Sequence, residues 1–288
     1  MSRAEQLEQG AVRRARPDAP PAMTQAEFTR IAERVLAQTG IVLKEHKRQM
    51  VYSRMTRRLR ALGLTSFTAY LDHLDAATDG GEARAFVNAV TTNLTSFFRE
   101  DHHFEDFERE VLPHLIARRN GRLRLWSAGC SSGEEPYTLA MSLLHACRDA
   151  PPVDLRILAT DIDTDMLDRA RAGIYTRERT AKLPRRFSGY LLAEPDAETA
   201  RIAPQVQALI TFKELNLIGP WPVRGPFDVI FCRNVLIYFD GRTKAALIDR
   251  FADLRTPGGT LYLGHSESLL DEHPLLESLG ATVYRRRR

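Results

Sequence analysis

Long apolar runs are missing from this chain of 288 residues. No stretch approaches the roughly 20 residues a helix needs to cross a bilayer, so a membrane-spanning protein is excluded and no direct membrane insertion is expected. The start, MSRAEQLEQGAVRRARPDAPPAM, carries an Arg-Arg pair with no apolar segment behind it, hence no export signal, and a cytoplasmic location is expected. Cysteine is scarce. Cys130, Cys147 and Cys232 are an odd number at wide spacings, without C-x-x-C or a Cys/His pair of ligand type, which argues against a disulfide scaffold and a structural zinc site. His102, His103 and His265 have no partners at ligand spacing, so core or surface roles are expected and no metal is.

What is present is a globular composition. Hydrophobic residues make up 43% and charged residues 27%, and the length suits one large or two modest domains. The formal charge of +4 alone does not argue for nucleic acid, but it is unevenly spread. Between residues 44 and 60 stand Lys44, Lys47, Arg48, Arg54, Arg57, Arg58 and Arg60 against a single Glu45. The basic tail Arg285 to Arg288 lacks aromatic interleaving and reads as a solvated end.

Residues 1–22, rich in Ala, Arg and Pro without periodicity, read as a disordered leader. Thr24 with Glu27 three residues on has the form of a capping box, and Phe28, Ile31, Val35 and Leu36 follow at helical spacing until Gly40. Over residues 45–62, Val51, Met55, Leu59 and Leu62 form an apolar stripe, while Lys47, Arg54 and Arg58 fall within about 40° of one another at 100° per residue. One face should pack and its neighbour should be cationic. Short helices at 66–74 and 81–93 complete a small all-helical domain over 23–92 that is too small to be the whole protein.

From Arg122 the pattern changes to alternating strands and helices. Strands are expected at 123–128, 155–161, 209–215, 227–233, 260–265 and 281–284, with helices over 134–147, 164–172, 184–192 and 242–254. Such alternation gives an α/β fold with a mostly parallel sheet covered on both faces, whose ligands sit beyond the carboxyl ends of the strands.

Three strand ends carry chemistry. The first runs into Ser127-Ala128-Gly129-Cys130-Ser131-Ser132-Gly133-Glu134-Glu135, which lets a ligand approach the backbone but is not G-x-G-x-x-G. Two glutamates at that helix start suit a cationic or amine-bearing ligand better than a pyrophosphate; the alternative is a tight turn whose acids favour the helix dipole. The second strand ends Thr160-Asp161-Ile162-Asp163. Asp161 is placed to accept from both hydroxyls of a ribose, while Asp163 reads as a helix cap. The fourth ends Cys232-Arg233-Asn234 with Tyr238 four residues past the Asn, two polar groups and an aromatic whose face would favour a sulfonium.

Together these stretches resemble the chemotaxis receptor-glutamate O-methyltransferases, the CheR family. The resemblance rests on NLTSFFRE (93–100), SAGCSSGEEPYTLA (127–140), ATDID (159–163), ARAGIY (170–175), LNL (215–217), GPFDVIFCRNVLIYFD (225–240) and GHSESL (264–269), in order along residues 24–284. It implies an S-adenosylmethionine-dependent enzyme, releasing S-adenosylhomocysteine, with a Rossmann-like methyltransferase domain over 93–288. That domain would contain a linker helix over 93–120 and a small β insertion near 185–210. It further implies that Asn93, Thr95, Arg99, Gly129, Glu135, Asp161, Asn216, Leu217, Arg233 and Asn234 hold the cofactor, and that Tyr238 and Arg99 serve the methyl transfer. The substrate would be a glutamate on the cytoplasmic helical bundle of a chemoreceptor, met by the basic face of Lys47, Arg54 and Arg58. A glutamate is ionised at neutral pH and needs no general base. Family members that dock on a receptor's C-terminal peptide carry a glycine-rich loop in the β insertion. Residues 188–198 here lack it, so no such tether is expected, and a monomer is.

Two rivals follow from the same residues. One is a methyltransferase of another substrate such as nucleic acid, using the basic helix as a phosphate patch; against it, the fourth-strand motif is Asn-Val-Leu-Ile-Tyr rather than Asn-Pro-Pro-Tyr. The other is a non-catalytic nucleoside-binding signalling module, which the intact Arg99, Asp161, Asn234 and Tyr238 disfavour.

Overall fold

A computed structural model describes residues 22–77, 80–118, 122–148, 154–195, 197–269 and 272–287. The expected leader lies outside them except for Ala22. Helices α1 (Gln25–Thr39), α2 (Arg48–Leu62), α3 (Phe67–Ala76) and α4 (Gly81–Val90) form the first layer. Thr24 caps α1 through the reciprocal box with Glu27, and Gly40 ends it in the left-handed region at φ 73°. Phe28, Ile31 and Val35 of α1 meet Val51, Met55 and Leu59 of α2, Tyr70 and Leu74 of α3, and Phe86 and Val90 of α4 in one core. Leu36, expected among them, lies on the outer side of α1 and is 45% exposed.

The chain then runs without helix to α5 (Asp101–Asp106), a π turn (Phe107–Val111) and α6 (Leu112–Arg118), so helix begins at Asp101 rather than at residue 93. Strands β1 (Arg122–Ala128), β2 (Asp154–Asp161), β6 (Ile210–Glu214), β7 (Phe227–Cys232), β8 (Arg255–Leu263), β9 (Leu276–Gly280) and β10 (Val283–Arg286) build a sheet in the order β6-β2-β1-β7-β8-β10-β9. Neighbours from β6 to β8 are parallel, and β10 runs antiparallel to both β8 and β9. Helices α7 (Glu134–Ala146), α8 (Thr164–Ala172) and α11 (Gly241–Asp253) are the crossovers.

Alternation along the strands explains why both faces are covered. Leu123 and Leu125 of β1 and Val229 and Phe231 of β7 enter one core with Phe104 and Phe107. Trp126 and Ala128, with Ile230 and Cys232, enter the other with Phe251. The chain moves one way from β1 to β2 and the other way from β1 to β7, so the crevice between the ends of β1 and β7 is the topological switch point.

A second sheet, β3 (Ile174–Thr176), β4 (Leu191–Ala193) and β5 (Thr199–Ile202) in the order β3-β5-β4, is antiparallel and lies before β6 with the short helices α9 (Arg177–Thr180) and α10 (Pro204–Gln207). It starts earlier than the insertion expected near 185–210. The helix expected over 184–192 is a 3-10 turn at Arg185–Tyr190 that passes directly into β4. Strand β9 was not anticipated: Glu277 and Ser278 break any apolar run, and the strand is made by pairing with β10.

Candidate cofactor-binding site

A cavity of about 300 Å³ opens at the switch point, walled by the helical layer, the segment 91–99 and the loops after β1, β2, β6 and β7. All eleven residues singled out for the cofactor and the transfer step line it. The loop after β1 is shaped for close approach. Gly129 has φ 87°, and a Cβ there would stand 2.3 Å from Val235 Cγ2. Its N–H and that of Cys130 both donate to the Thr160 carbonyl, at 2.8 and 2.9 Å, tying the loop to β2.

Asp161 is buried at the end of β2. Its Oδ2 accepts from Ser131 N at 2.7 Å and its Oδ1 from Asp163 N at 2.9 Å. Burial outweighs those donors and raises its pKa to about 6. Asp163 does what its position predicts: Oδ1 caps α8 through Asp165 N and Met166 N, while Oδ2 receives Thr91 Oγ1 at 2.5 Å and Asn93 Nδ2 at 2.6 Å. The cap of one domain thus fixes the segment leading out of the other.

The two adjacent glutamates separate. Glu135 faces the cavity, accepting from Ser127 Oγ at 2.8 Å and pairing with Arg233 Nη1 at 3.2 Å; burial pushes its pKa up, and Arg233 opposes that rise. Glu134 is fully buried behind the loop, with Oε1 2.7 Å from Arg179 Nη2 and Oε2 accepting from Ser132 Oγ at 2.7 Å. One backbone step along a helix turns the side chain by about 100°, which is why one faces the ligand space and the other does not.

Arg233 is 1% exposed and sits between Glu135 and Glu100, whose Oε2 lies 3.2 Å from Nη2. Its guanidinium also donates to the Arg99 carbonyl and lies 5.2 Å from the Phe104 ring centre. Burial would raise the Glu100 pKa, but His265, Asn234 and Arg233 outweigh it and bring it to about 2. Asn234, at φ 58°, is held by a residue quoted above only as part of GHSESL: Glu267. The buried Glu267 accepts from Asn234 N at 2.7 Å, Gly264 N at 2.6 Å and Ile237 N at 3.0 Å. Nothing in an isolated Ser-Glu-Ser marks that role; a carboxylate just past a strand end was the available signal.

At the open side, Tyr238 Oη is 3.5 Å from the Thr92 carbonyl, and Arg99 Nη1 donates to the Leu94 carbonyl at 2.5 Å. Asn216 reaches across the domains, donating to the Gln38 carbonyl at 2.7 Å. Val42 N donates to the Tyr238 carbonyl at 2.9 Å, and the Asn88 amide pairs reciprocally with Thr164. The thiols of Cys130 and Cys232 are buried, and burial pushes both up, so they stay neutral.

Residues 93–285 match the family description "CheR methyltransferase, SAM binding domain", and residues 26–91 match "CheR methyltransferase, all-alpha domain". The chain belongs to the CheR methyltransferase family. It is 43% identical over 267 residues to the chemotaxis protein methyltransferase of Escherichia coli K12, covering 91% of each chain. It is also 43% identical over 268 residues to chemotaxis protein methyltransferase 2 of Pseudomonas aeruginosa, covering 91% of this chain and 93% of that one. As a CheR protein it is an S-adenosylmethionine-dependent methyltransferase of Rossmann-like fold, with no helix long and apolar enough to cross a membrane among the described residues.

The cavity suits that cofactor on chemical grounds. Its acids, the half-buried Glu135 and the buried Asp161, both have raised pKa values, so a ligand carrying ammonium and sulfonium charge and sugar hydroxyls relieves the cost of their desolvation, whereas a phosphate would add to it. Gly129 supplies the gap for an approach to backbone.

Two of the three cations of the expected basic face are engaged within the chain. Arg54 is turned inward, donating to the carbonyls of Ala89, Val90 and Thr91 at the end of α4. Arg58 pairs with Glu82, which also receives Tyr70 Oη at 2.8 Å. Helical spacing grouped these cations with Lys47, but α4 packs against that side of α2 and claims two of the three. The exposed cations on and before α2 are Lys44, Lys47, Arg57 and Arg60.

Proposed function

We propose that the protein transfers the methyl group of S-adenosylmethionine to glutamate side-chain carboxylates on the cytoplasmic helical bundle of chemoreceptors, forming methyl esters. The observation that carries the acceptor chemistry is the cavity's set of ionisable groups. Among the described residues lining it, these are Arg99, Glu135, Asp161, Arg233 and Tyr238. Both carboxylates already accept hydrogen bonds, and Arg233 is held between two acids, so none stands ready to take a proton from an incoming nucleophile. A carboxylate needs none. When bound, the cofactor would supply an electrophilic methyl on sulfur, and an acceptor that is already ionised would bring its own electron pair, so no residue of this chain would need to move a proton.

In this reading Arg99 draws the acceptor carboxylate to the open side of the cavity, and the Tyr238 ring offers its face to the sulfonium. Glu135 and Asp161 orient the amino-acid and ribose ends, Asn93, Thr95, Asn216, Leu217 and Asn234 complete the walls, and the helical layer and segment 91–99 keep water out. Exposed Lys47 meets the acidic receptor surface. Loss of one negative charge per ester is the signal.

Incubation with methyl-labelled S-adenosylmethionine and a receptor cytoplasmic fragment, followed by mild base, tests the reading. Label released as volatile methanol supports it. Base-stable label refutes it in favour of nitrogen methylation, and tight cofactor binding without label would point to the wrong receptor or a binding-only module. The hairpin between β4 and β5 carries Glu194, Pro195 and Ala197 in place of a glycine-rich loop, which supports recognition without a C-terminal tether. Equal affinity for a receptor shortened at its C-terminus is the expected result; a large loss overturns it.

A further inference from the structure

Leu94 is 76% exposed and Ile237 44%, yet both line the cofactor cavity. A large aliphatic side chain that reaches a ligand cavity and keeps its outer surface in water forms a rim rather than a wall. Neither is loosely held. The Leu94 carbonyl accepts from Arg99 Nη1 at 2.5 Å, and Ile237 N donates to Glu267 Oε1 at 3.0 Å. Both backbones are therefore fixed by side chains at the same site, so little ordering is left to pay for when a partner covers them.

The rim adjoins the free cations. Val42 N donates to the Tyr238 carbonyl, so the segment leading through Lys44 and Lys47 into α2 starts beside Ile237. On α2, Thr92 Oγ1 approaches Met50 Sδ at 3.8 Å and Arg54 reaches the Thr91 carbonyl, so this side of the helix adjoins Leu94's segment. Lys47, at the N-terminal end of α2, and Arg57 on the helix are both exposed. Two aliphatic knobs at the cavity mouth, next to exposed cations and on the open side that carries Arg99, fit one kind of partner: the acidic receptor helix of the proposed substrate, with apolar side chains flanking the reacting carboxylate.

We infer that Leu94 and Ile237 are specificity-determining residues that seat the apolar neighbours of the methyl-accepting glutamate on the receptor helix, and that this contact fixes which glutamate reaches the methyl group. The inference rests on the proposed substrate. Its test measures, with one receptor fragment, the KM for receptor and the Kd for S-adenosylmethionine in Leu94→Ser, Ile237→Ser and the conservative Leu94→Met and Ile237→Val. Expected is a receptor KM raised tenfold or more in each serine variant, about 1.4 kcal/mol, recovery in the conservative pair, and a cofactor Kd that moves less than twofold. An unchanged receptor KM overturns the inference, as does a cofactor Kd that rises with KM, which would make the two residues a cover for the cofactor. If the wild type itself leaves no base-labile label, the substrate reading fails first and takes this inference with it; a wild type that labels the receptor isolates the failure to the rim.

Discussion

Replacing Glu267 by Ala tests whether one buried carboxylate holds the loop that frames the cofactor. Its two oxygens accept three backbone N–H groups, from Asn234, Gly264 and Ile237. Hydrogen bonds to a charged acceptor contribute about 1.5–3 kcal/mol, and a buried donor left unpaired costs about 1–3 kcal/mol. Gly264 is buried, Asn234 half-buried and Ile237 exposed, so water repairs only the last. Relief from burying the carboxylate, visible in its raised pKa, offsets part of the loss. A net loss of about 3–5 kcal/mol follows, and at roughly 2 °C per kcal/mol for a chain of this size the Tm should fall by about 6–10 °C. Asn234 is also freed from its left-handed geometry, so the Kd for S-adenosylhomocysteine should rise by at least tenfold. Calorimetric melting and titration read both quantities. Glu267→Gln keeps one accepting oxygen and should lose about half as much. A Glu267→Ala protein that melts within 2 °C of the wild type and binds the product equally well would show that the loop is held by something else.

The raised pKa of Asp161, about 6, gives cofactor binding a pH dependence: if ribose is accepted by the ionised form, affinity at pH 5 should be about tenfold below that at pH 7.5, and Asp161→Asn should bind weakly at both; a flat titration refutes it. Gly129→Ala places a methyl 2.3 Å from Val235 Cγ2 at a strained φ, for about 2–4 kcal/mol of destabilisation, and the double variant with Val235→Ala should recover part of the melting temperature. Arg58→Ala should lower the Tm by several degrees by stranding Glu82, without changing receptor KM, whereas Lys47→Glu should raise receptor KM most at low salt and leave the Tm alone; the reverse pattern would restore the face expected from helical spacing. Acid unfolding should begin early, because burial depresses the His103 pKa to about 4 and Glu100 is held near 2. The folded state takes up those protons less readily than the unfolded chain, so stability falls from about pH 6.5 down through 4 for His103 and from about 4.5 down to 2 for Glu100. His103→Phe should flatten the upper part of that curve in urea melts.

What the sequence made legible follows from how local each signal is. The alternation of β1 and β7 into two cores, the Thr24 box and the Asp163 cap are set by neighbours within four residues, and they stand where spacing places them. Strand β9 and the 3-10 turn before β4 depend on pairing partners, which no window over 184–192 or 276–280 contains. The intramolecular partners of Arg54 and Arg58 were illegible for a related reason. A helical wheel places Lys47, Arg54 and Arg58 together but is blind to the helix that comes to rest against them, and an arginine beside a helix end finds carbonyls before it finds a partner protein.

The same distinction explains the site. Gly129, Glu135, Asp161, Arg233, Asn234 and Tyr238 were legible because strand ends expose them in a fixed order, and Asn93, Thr95, Arg99, Asn216 and Leu217 only through the family resemblance, whereas Glu100 and Glu267, which hold them in place, were not. Glu135 is aimed by Ser127 and Arg233, Arg233 is fixed between Glu135 and Glu100, and Glu100 is anchored by His265 and Asn234, whose own backbone is pinned by Glu267. That relay joins the loop after β1, the segment entering α5, the loop after β7 and the loop after β8, four places far apart in sequence. Since each carboxylate in it is matched by a cation or by backbone N–H groups, a cofactor with positive charge meets acids already in position, with little reorganisation left for the moment of binding. With the carboxylate acceptor proposed above, the enzyme would need no base of its own, and the polar groups of this relay serve to hold geometry.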